Sequence, residues 1–77
     1  MKRIQVLGTG CPKCKALYDN VETAVKTSGI AATVEKVDNI VDILDFGVMM
    51  TPALVIDGQV KSAGRILNAE EIVKLLE

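Results

Sequence analysis

The order of apolar and polar positions along the chain predicts four strands and three helices. Near the N-terminus, Ile4 and Val6 fall on one face of an alternating segment, which is the period of a strand. Near the C-terminus, Ile72, Leu75 and Leu76 recur at helical spacing. The predicted strands are Lys2–Leu7, Ala31–Val37, Pro52–Asp57 and Gln59–Ala63, and the predicted helices run from Cys11 to about Ser28, over Ile40–Phe46 and over Asn68–Leu76. The order is therefore β-α-β-α-β-β-α.

Turn and cap residues set the boundaries of these elements. Pro12 suits the first position of a helix, and Asp57-Gly58 is a strong two-residue hairpin turn. Asn68 with Glu71 three residues later has the form of a capping box. The remaining helix ends are predicted by the pair Asp38-Asn39 and by two glycines, Gly29 and Gly47. Parallel strands joined by helices, followed by a hairpin and a packing helix, indicate one α/β domain over residues 1–77.

Composition excludes several classes of function. Hydrophobic residues make up 49% of the 77 residues and charged residues 25%, as expected for a folded domain rather than a disordered one. The net charge is −1 with no basic run, and there is one Phe, one Tyr and no Trp, so we expect no nucleic-acid partner. The longest apolar run, near Ala53–Ile56, is far too short to span a membrane, and Ile4–Leu7 is too short for a signal peptide. We therefore expect a cytoplasmic protein without a membrane partner.

Two cysteines, Cys11 and Cys14, carry the candidate chemistry. In a reducing compartment, two cysteines separated by two residues indicate redox catalysis or metal binding rather than a structural disulfide. The chain has no histidine, which excludes imidazole ligands and imidazole acid–base catalysis. A structural zinc site requires four ligands, whereas a site of two thiolates for a soft ion such as Cu(I) stays open as an alternative.

Helix geometry predicts different surroundings for the two cysteines. Cys14 begins an apolar face that continues through Leu17, Val21 and Val25. The other face is largely polar and consists of Cys11, Lys15, Tyr18 and Glu22. We therefore expect an accessible Cys11 and a shielded Cys14. Dithiol exchange needs this asymmetry, because one thiolate attacks a substrate disulfide and the second resolves the mixed disulfide.

The position of Cys11 at the start of a helix also predicts its reactivity. Free amide groups and the helix dipole favour a thiolate there, and Lys13 and Lys15 add positive charge. No carboxylate precedes Asp19 in the sequence to oppose ionisation. We therefore expect the pKa of Cys11 to lie below the usual thiol value of roughly 8.5.

Two motifs about forty residues apart carry a resemblance to a known family. They are a Cys-Pro-Lys-Cys helix start at residues 11–14 and a Thr-Pro-Ala-Leu-Val-Ile-Asp-Gly hairpin at residues 51–58. The chain resembles the thioredoxin superfamily over nearly its whole length, and in particular its small, glutaredoxin-sized redox-active disulfide proteins of archaea and bacteria. The resemblance implies a minimal thioredoxin fold, with a four-stranded mixed sheet flanked by three helices.

The resemblance also implies roles for individual residues and partners. Cys11 would be the nucleophile and Cys14 the resolving thiol. Pro52 would follow a cis peptide bond and pack beside the disulfide, and Thr51 would offer its backbone to an extended substrate segment. Pro12 and Lys13 complete the candidate substrate-binding residues. The implied partners are proteins that contain disulfides and an upstream reductase; the chain would be a monomer with no metal and no cofactor beyond the Cys11–Cys14 disulfide.

Some positions depart from the family pattern. Thioredoxins usually have Trp before the first cysteine, Gly-Pro between the pair and a buried Asp in the preceding strand, where this chain has Gly10, Pro12-Lys13 and Gln5. Proton removal from Cys14 would then use water or Lys13, or would be slower. Glutaredoxins usually have Gly-Gly followed by Asp after the fourth strand, where this chain has Ala63-Gly64-Arg65, so we do not expect glutathione binding. Arg65 is instead a candidate contact for an acidic partner.

An alternative function and a question about two methionines stay open at this point. The alternative function is a soft-metal carrier for Cu(I) or Zn, since heavy-metal-associated domains also place a two-cysteine loop between a first strand and a first helix. Those domains normally have a Met where this chain has Thr9, and they finish on a strand rather than a helix. The question concerns Met49 and Met50, which form either an adaptable contact surface beside Thr51 or part of the core.

Overall fold

The elements of the fold follow the predicted order. The computed structural model describes residues 2–10 and 12–77. The strands are β1 (Lys2–Leu7), β2 (Ala32–Val37), β3 (Ala53–Ile56) and β4 (Gln59–Ala63), and the helices are α1 (Pro12–Ser28), α2 (Ile40–Asp45) and α3 (Ala69–Leu76). Differences from the predicted bounds are confined to the ends of elements. Phe46 caps α2 instead of extending it, and Asp57 leaves β3 because it adopts a positive φ of 51°.

The sheet is mixed and has the strand order β2-β1-β3-β4. Strand β1 is parallel to β2, with Lys2 opposite Ala32, and antiparallel to β3, with Leu7 opposite Ala53. Strand β4 is antiparallel to β3. This arrangement confirms the predicted minimal thioredoxin fold. It also brings the C-terminal ends of β1 and β2 and the start of β3 to the same end of the sheet.

Helices cover both faces of the sheet. The face toward α1 and α3 buries the larger cluster, which consists of Ile4, Val6, Leu17, Val21, Ala24, Leu54, Ile56, Leu67, Ile72 and Leu76. The opposite face, toward α2, buries Leu7, Ile43, Val48, Ala53 and Val55. The predicted apolar face of α1 is confirmed with one correction: Ala24 is fully buried, whereas Val25 only packs against the margin of the cluster.

Local cap and turn geometry confirms the predicted signals. Asp57 and Gly58 both have positive φ, 51° and 81°, as the two central residues of a type I′ turn require. At α3, the Asn68 side chain accepts a hydrogen bond from the Glu71 backbone and the Glu71 side chain accepts one from Asn68, which completes the capping box. Asn39 caps α2 by accepting from the Val41 backbone. Within residues 2–10 and 12–77, no helix is long and apolar enough to cross a membrane.

Candidate functional site

The start of α1 holds the second cysteine of the motif in a shielded position. Helix α1 begins at Pro12, as predicted, and its first turn contains no acidic residue. Cys14 is only 6% exposed, which confirms the predicted shielding, while Pro12 and Lys13 are exposed. Cys11, which we predicted to be accessible at the start of the helix and to have a lowered pKa, lies outside the described residues.

Gly8 packs directly against Cys14. Gly8 is buried and donates its N–H to the carbonyl of Val37 at 2.9 Å, which continues the β1–β2 pairing one residue beyond β1. A Cβ atom added at Gly8 would overlap Cys14 Sγ and approach Cys14 Cβ to 2.9 Å. Only glycine at this position leaves room for the Cys14 side chain, a requirement that the sequence analysis did not identify.

Thr51 and Pro52 lie at the same end of the sheet as Cys14. Leu7 is opposite Ala53 in the antiparallel register, so Gly8, which follows Leu7, and Pro52, which precedes Ala53, both lie next to this final pair. The Thr51–Pro52 peptide bond is cis, as the family resemblance implied. Pro52 is buried and Thr51 is exposed. The structure therefore brings Cys14 and two of the predicted substrate-binding residues, Thr51 and Pro52, to the same end of the sheet.

An apolar surface adjoins Thr51. Met49 is 96% exposed and Met50 is 61% exposed, so the structure decides the open question in favour of a surface rather than a core position. The Met50 side chain lies over Gly64, where its Cε would be 2.8 Å from an added Cβ. The Gly64 N–H donates to the Pro52 carbonyl at 2.9 Å. We call Met49, Met50 and Gly64 the methionine surface.

A cleft of about 220 Å³ opens on the other side of Cys14. It lies between α1 and the end of β2, and we call it the β2-side cleft. Its lining consists of Val6, Gly8, Gly10, Cys14, Lys15, Tyr18, Lys36 and Asp38. Within it, Lys36 Nζ lies 4.6 Å from the centroid of the Tyr18 ring, a cation–π geometry. No sequence pattern predicted that Lys36 and Asp38 would share a cleft with Cys14.

Gln5, which stands where thioredoxins usually have a buried Asp, is 8% exposed. It lines a different cleft, on the α2 face of the sheet, together with Arg3 and Glu35. There the Arg3 Nε donates to Glu35 Oε1 at 2.9 Å, and this hydrogen bond with the attraction of the carboxylate raises the pKa of Arg3. The chain therefore presents an amide rather than an acid at the position of that Asp.

Two further predictions concern Arg65 and the binding of a metal ion. Arg65, considered as a contact for an acidic partner, has its guanidinium 3.4 Å from the Glu71 carboxylate. This intramolecular pair already supplies an acidic neighbour for Arg65. Among the residues that the structure describes, no group of three or more Cys, Asp or Glu side chains is placed to hold a metal ion. Since Cys11 is outside that part of the chain, the two-thiolate alternative is not tested.

Comparison with known proteins places the chain in a family. A family model described as a thioredoxin domain matches residues 2–77. The chain belongs to the thioredoxin family. A thioredoxin of Methanothermobacter thermautotrophicus is 43% identical over 76 residues, which cover 99% of each chain. A thioredoxin of Methanocaldococcus jannaschii is 39% identical over 74 residues, which cover 96% of this chain and 85% of the relative.

A third similar protein, a probable thioredoxin of Methanothermobacter marburgensis, is 39% identical over 57 residues, which cover 70% of this chain and 67% of the relative. Thioredoxin-family membership makes the chain, in general terms, a thiol–disulfide oxidoreductase. The shielded Cys14 and the cis Thr51–Pro52 bond are the two features of the described structure that fit this chemistry most directly.

Proposed function

We propose that the chain exchanges disulfide bonds in proteins through Cys11 and Cys14, with Cys11 as the nucleophile and Cys14 as the resolving thiol. The observation that carries this proposal is the placement of Cys14. It is 6% exposed, sits in the first turn of α1 and packs against Gly8. A thiol that is shielded in this way is poorly placed to attack a bulky protein disulfide from solution. It is suited to attack a mixed disulfide formed at Cys11, three residues earlier in the chain.

The reaction has two exchange steps. The thiolate of Cys11 attacks one sulfur of a substrate disulfide, which forms a mixed disulfide and releases the other substrate sulfur as a thiolate. Cys14 then attacks Cys11 Sγ, which forms the Cys11–Cys14 disulfide and releases the second substrate sulfur. The substrate gains two electrons and the dithiol loses two. An upstream reductase returns the Cys11–Cys14 disulfide to the dithiol.

Protein substrates would dock on the β3 side of Cys14. The exposed Thr51, next to the buried Pro52, offers backbone groups to an extended segment, a form of β-strand addition. Pro12 and Lys13 are exposed at the start of α1 and would contact the substrate close to the reacting sulfurs. The methionine surface adjoins Thr51 and would accept apolar side chains, since methionine adapts to varied partners. We propose that the chain acts in this way as a monomer in the cytoplasm.

Trapping the mixed disulfide tests the assigned roles. The Cys14→Ser variant, mixed in its reduced state with a small disulfide-bonded protein, is expected to accumulate a covalent complex that a reductant releases. The Cys11→Ser variant is the matched control and is expected to accumulate none, because Cys14 is shielded. Mass spectrometry of the intact proteins reads both results. Equal trapping by the two variants, or trapping through Cys14 alone, would overturn the assignment.

A further inference from the structure

The resolving step requires Cys14 to be deprotonated, and this chain lacks the buried acid that thioredoxins usually have near the resolving cysteine. Cys14 must lose its proton although it is 6% exposed, and burial disfavours a thiolate. At the position where thioredoxins usually have a buried acid, this chain has Gln5, which lines the cleft on the α2 face. An amide does not accept the proton of a thiol at neutral pH. Groups other than the Gln5 side chain must therefore influence the ionisation of Cys14.

The β2-side cleft supplies charged groups beside Cys14. The titratable side chains that line it with Cys14 are Lys15 and Tyr18 from α1, Lys36 from β2 and Asp38 from the segment after β2. The ammonium group of Lys36, an exposed residue, lies 4.6 Å from the Tyr18 ring centroid, which is within cation–π distance. Two lysines face one aspartate. The lysines favour a thiolate in the cleft and the aspartate opposes it.

We propose that Lys36, positioned by the Tyr18 ring, and Asp38 set the ionisation of Cys14 with opposite signs, and that the proton of Cys14 leaves through the β2-side cleft. This inference rests on the proposed function, because it assigns the groups that govern its second step. Lys36 and Asp38 act on Cys14 through the charges that they place in the cleft. Tyr18 is a positioning residue, since it acts through Lys36.

The proposed step balances in atoms and charge. The Cys14 thiol gives its proton to water in the cleft, and the thiolate is stabilised by the Lys36 ammonium group. The thiolate attacks Cys11 Sγ in the mixed disulfide, so the Cys11–Cys14 bond forms and the bond from Cys11 to the substrate sulfur breaks. The electron pair of that bond stays on the substrate sulfur, which takes a proton from solvent. No further oxidant or reductant takes part.

Ionisation of Cys14 can be measured directly in the full chain with Cys11→Ser, because Cys14 is then the only thiol. The measurement is the pH profile of alkylation by a small reagent, with thiolate absorbance as a second readout. Adding Lys36→Gln is expected to raise the midpoint by roughly half a pH unit, the size of effect that partly exposed charges produce. Adding Asp38→Asn is expected to lower it by a similar amount.

Three further variants separate charge from structure. Lys36→Arg keeps the charge over the ring and is expected to restore the original midpoint. Tyr18→Phe keeps the ring and is expected to leave the midpoint unchanged, whereas Tyr18→Leu removes the ring and is expected to shift it in the direction of Lys36→Gln. Lys26→Gln removes a lysine in the last turn of α1 and serves as the control with the same change in net charge.

The proposal stands only if Lys36→Gln and Asp38→Asn shift the midpoint in opposite directions while Lys26→Gln does not shift it. Any other combination overturns it. Trapping by Cys14→Ser distinguishes this failure from a failure of the proposed function. If the mixed disulfide is trapped and the midpoint does not respond to Lys36 or Asp38, only the present inference falls. If no mixed disulfide is trapped, the proposed function itself falls, whatever the midpoints show.

Discussion

The two sides of Cys14 differ in chemistry. Toward β3, the exposed groups are Thr51 and the apolar methionine surface, with Met49 96% and Met50 61% exposed. Toward β2, the cleft is lined by charged side chains, among them Lys36 and Asp38. Strand β1 lies between β2 and β3 in the sheet, and the chain that follows it leads through Gly8 to Cys14. The two surfaces therefore flank one buried sulfur.

This difference separates the two tasks of an exchange reaction. An apolar surface beside exposed backbone suits a polypeptide, which needs contact area and tolerance of different side chains. A small charged cleft suits control of ionisation, because charges near a buried thiol change the free energy of forming the thiolate. If this division is correct, substitutions on one side alter substrate binding and substitutions on the other alter the pH dependence of Cys14.

The largest effect is expected at Gly8, which lies between the two sides. In Gly8→Ala the new methyl group overlaps Cys14 Sγ, and overpacking of this kind costs about 1–3 kcal/mol in the free energy of unfolding. Denaturant unfolding measures this cost, and trapping assays measure the accompanying loss of exchange.

A double-mutant cycle with Cys14→Ala identifies the cause of that cost. Removing the sulfur relieves the overlap and leaves only the 2.9 Å approach to Cys14 Cβ. The two substitutions are therefore expected to couple by about 1 kcal/mol or more. Strict additivity would mean that Gly8 is needed for some reason other than room for Cys14.

A smaller effect is expected on the β3 side. Met50→Lys places a charge on the methionine surface, and we expect the KM for a protein disulfide to rise about fivefold, as for an interface residue worth about 1 kcal/mol. The reaction with a small uncharged disulfide is expected to stay unchanged. Val60→Lys on β4 is the matched control, since Val60 is also an exposed apolar residue. An unchanged KM would show that substrates do not use this surface.

The smallest effect on the site is expected from Asn68→Ala, which removes the capping box of α3. The free energy of unfolding is expected to fall by about 1 kcal/mol, and Tm by roughly 4–8 °C for a domain of this size. Thermal unfolding followed by circular dichroism measures the shift. The alkylation midpoint of Cys14 and the KM are expected to stay unchanged. A shift in either would mean that these two measurements respond to the global stability of the domain rather than to local side chains.

Features that depend on neighbouring residues could be predicted from the sequence. The predictions of a cap at Asn68 and of a turn at Asp57-Gly58 were correct, because the geometry of each is set by residues close together in the sequence. The shielding of Cys14 was also correct, since helical spacing places it in line with Leu17 and Val21. Spacing did not identify Ala24 as the buried residue of the last turns, because the way α1 lies on the sheet decides between Ala24 and Val25.

Features that depend on contacts between distant segments could not be predicted. Without a carboxylate before Asp19, the sequence indicated no acid near the motif, yet the pairing of β1 with β2 brings Asp38 into the cleft of Cys14. The need for glycine at position 8 likewise appears only when α1 is folded back against the end of β1. The packing of Met50 over Gly64 also depends on the hairpin, which brings Gly64 to the start of β3.

The most direct test of the central claim is the reduction potential of the Cys11–Cys14 pair. Metal-stripped protein is equilibrated in defined dithiol buffers, and the fraction of disulfide is read from the mass added by alkylation. We expect one reversible two-electron transition with a midpoint of roughly −200 to −300 mV. If no reversible intramolecular disulfide forms, dithiol exchange is contradicted, and binding of Cu(I) or Zn by the two thiols becomes the function to test.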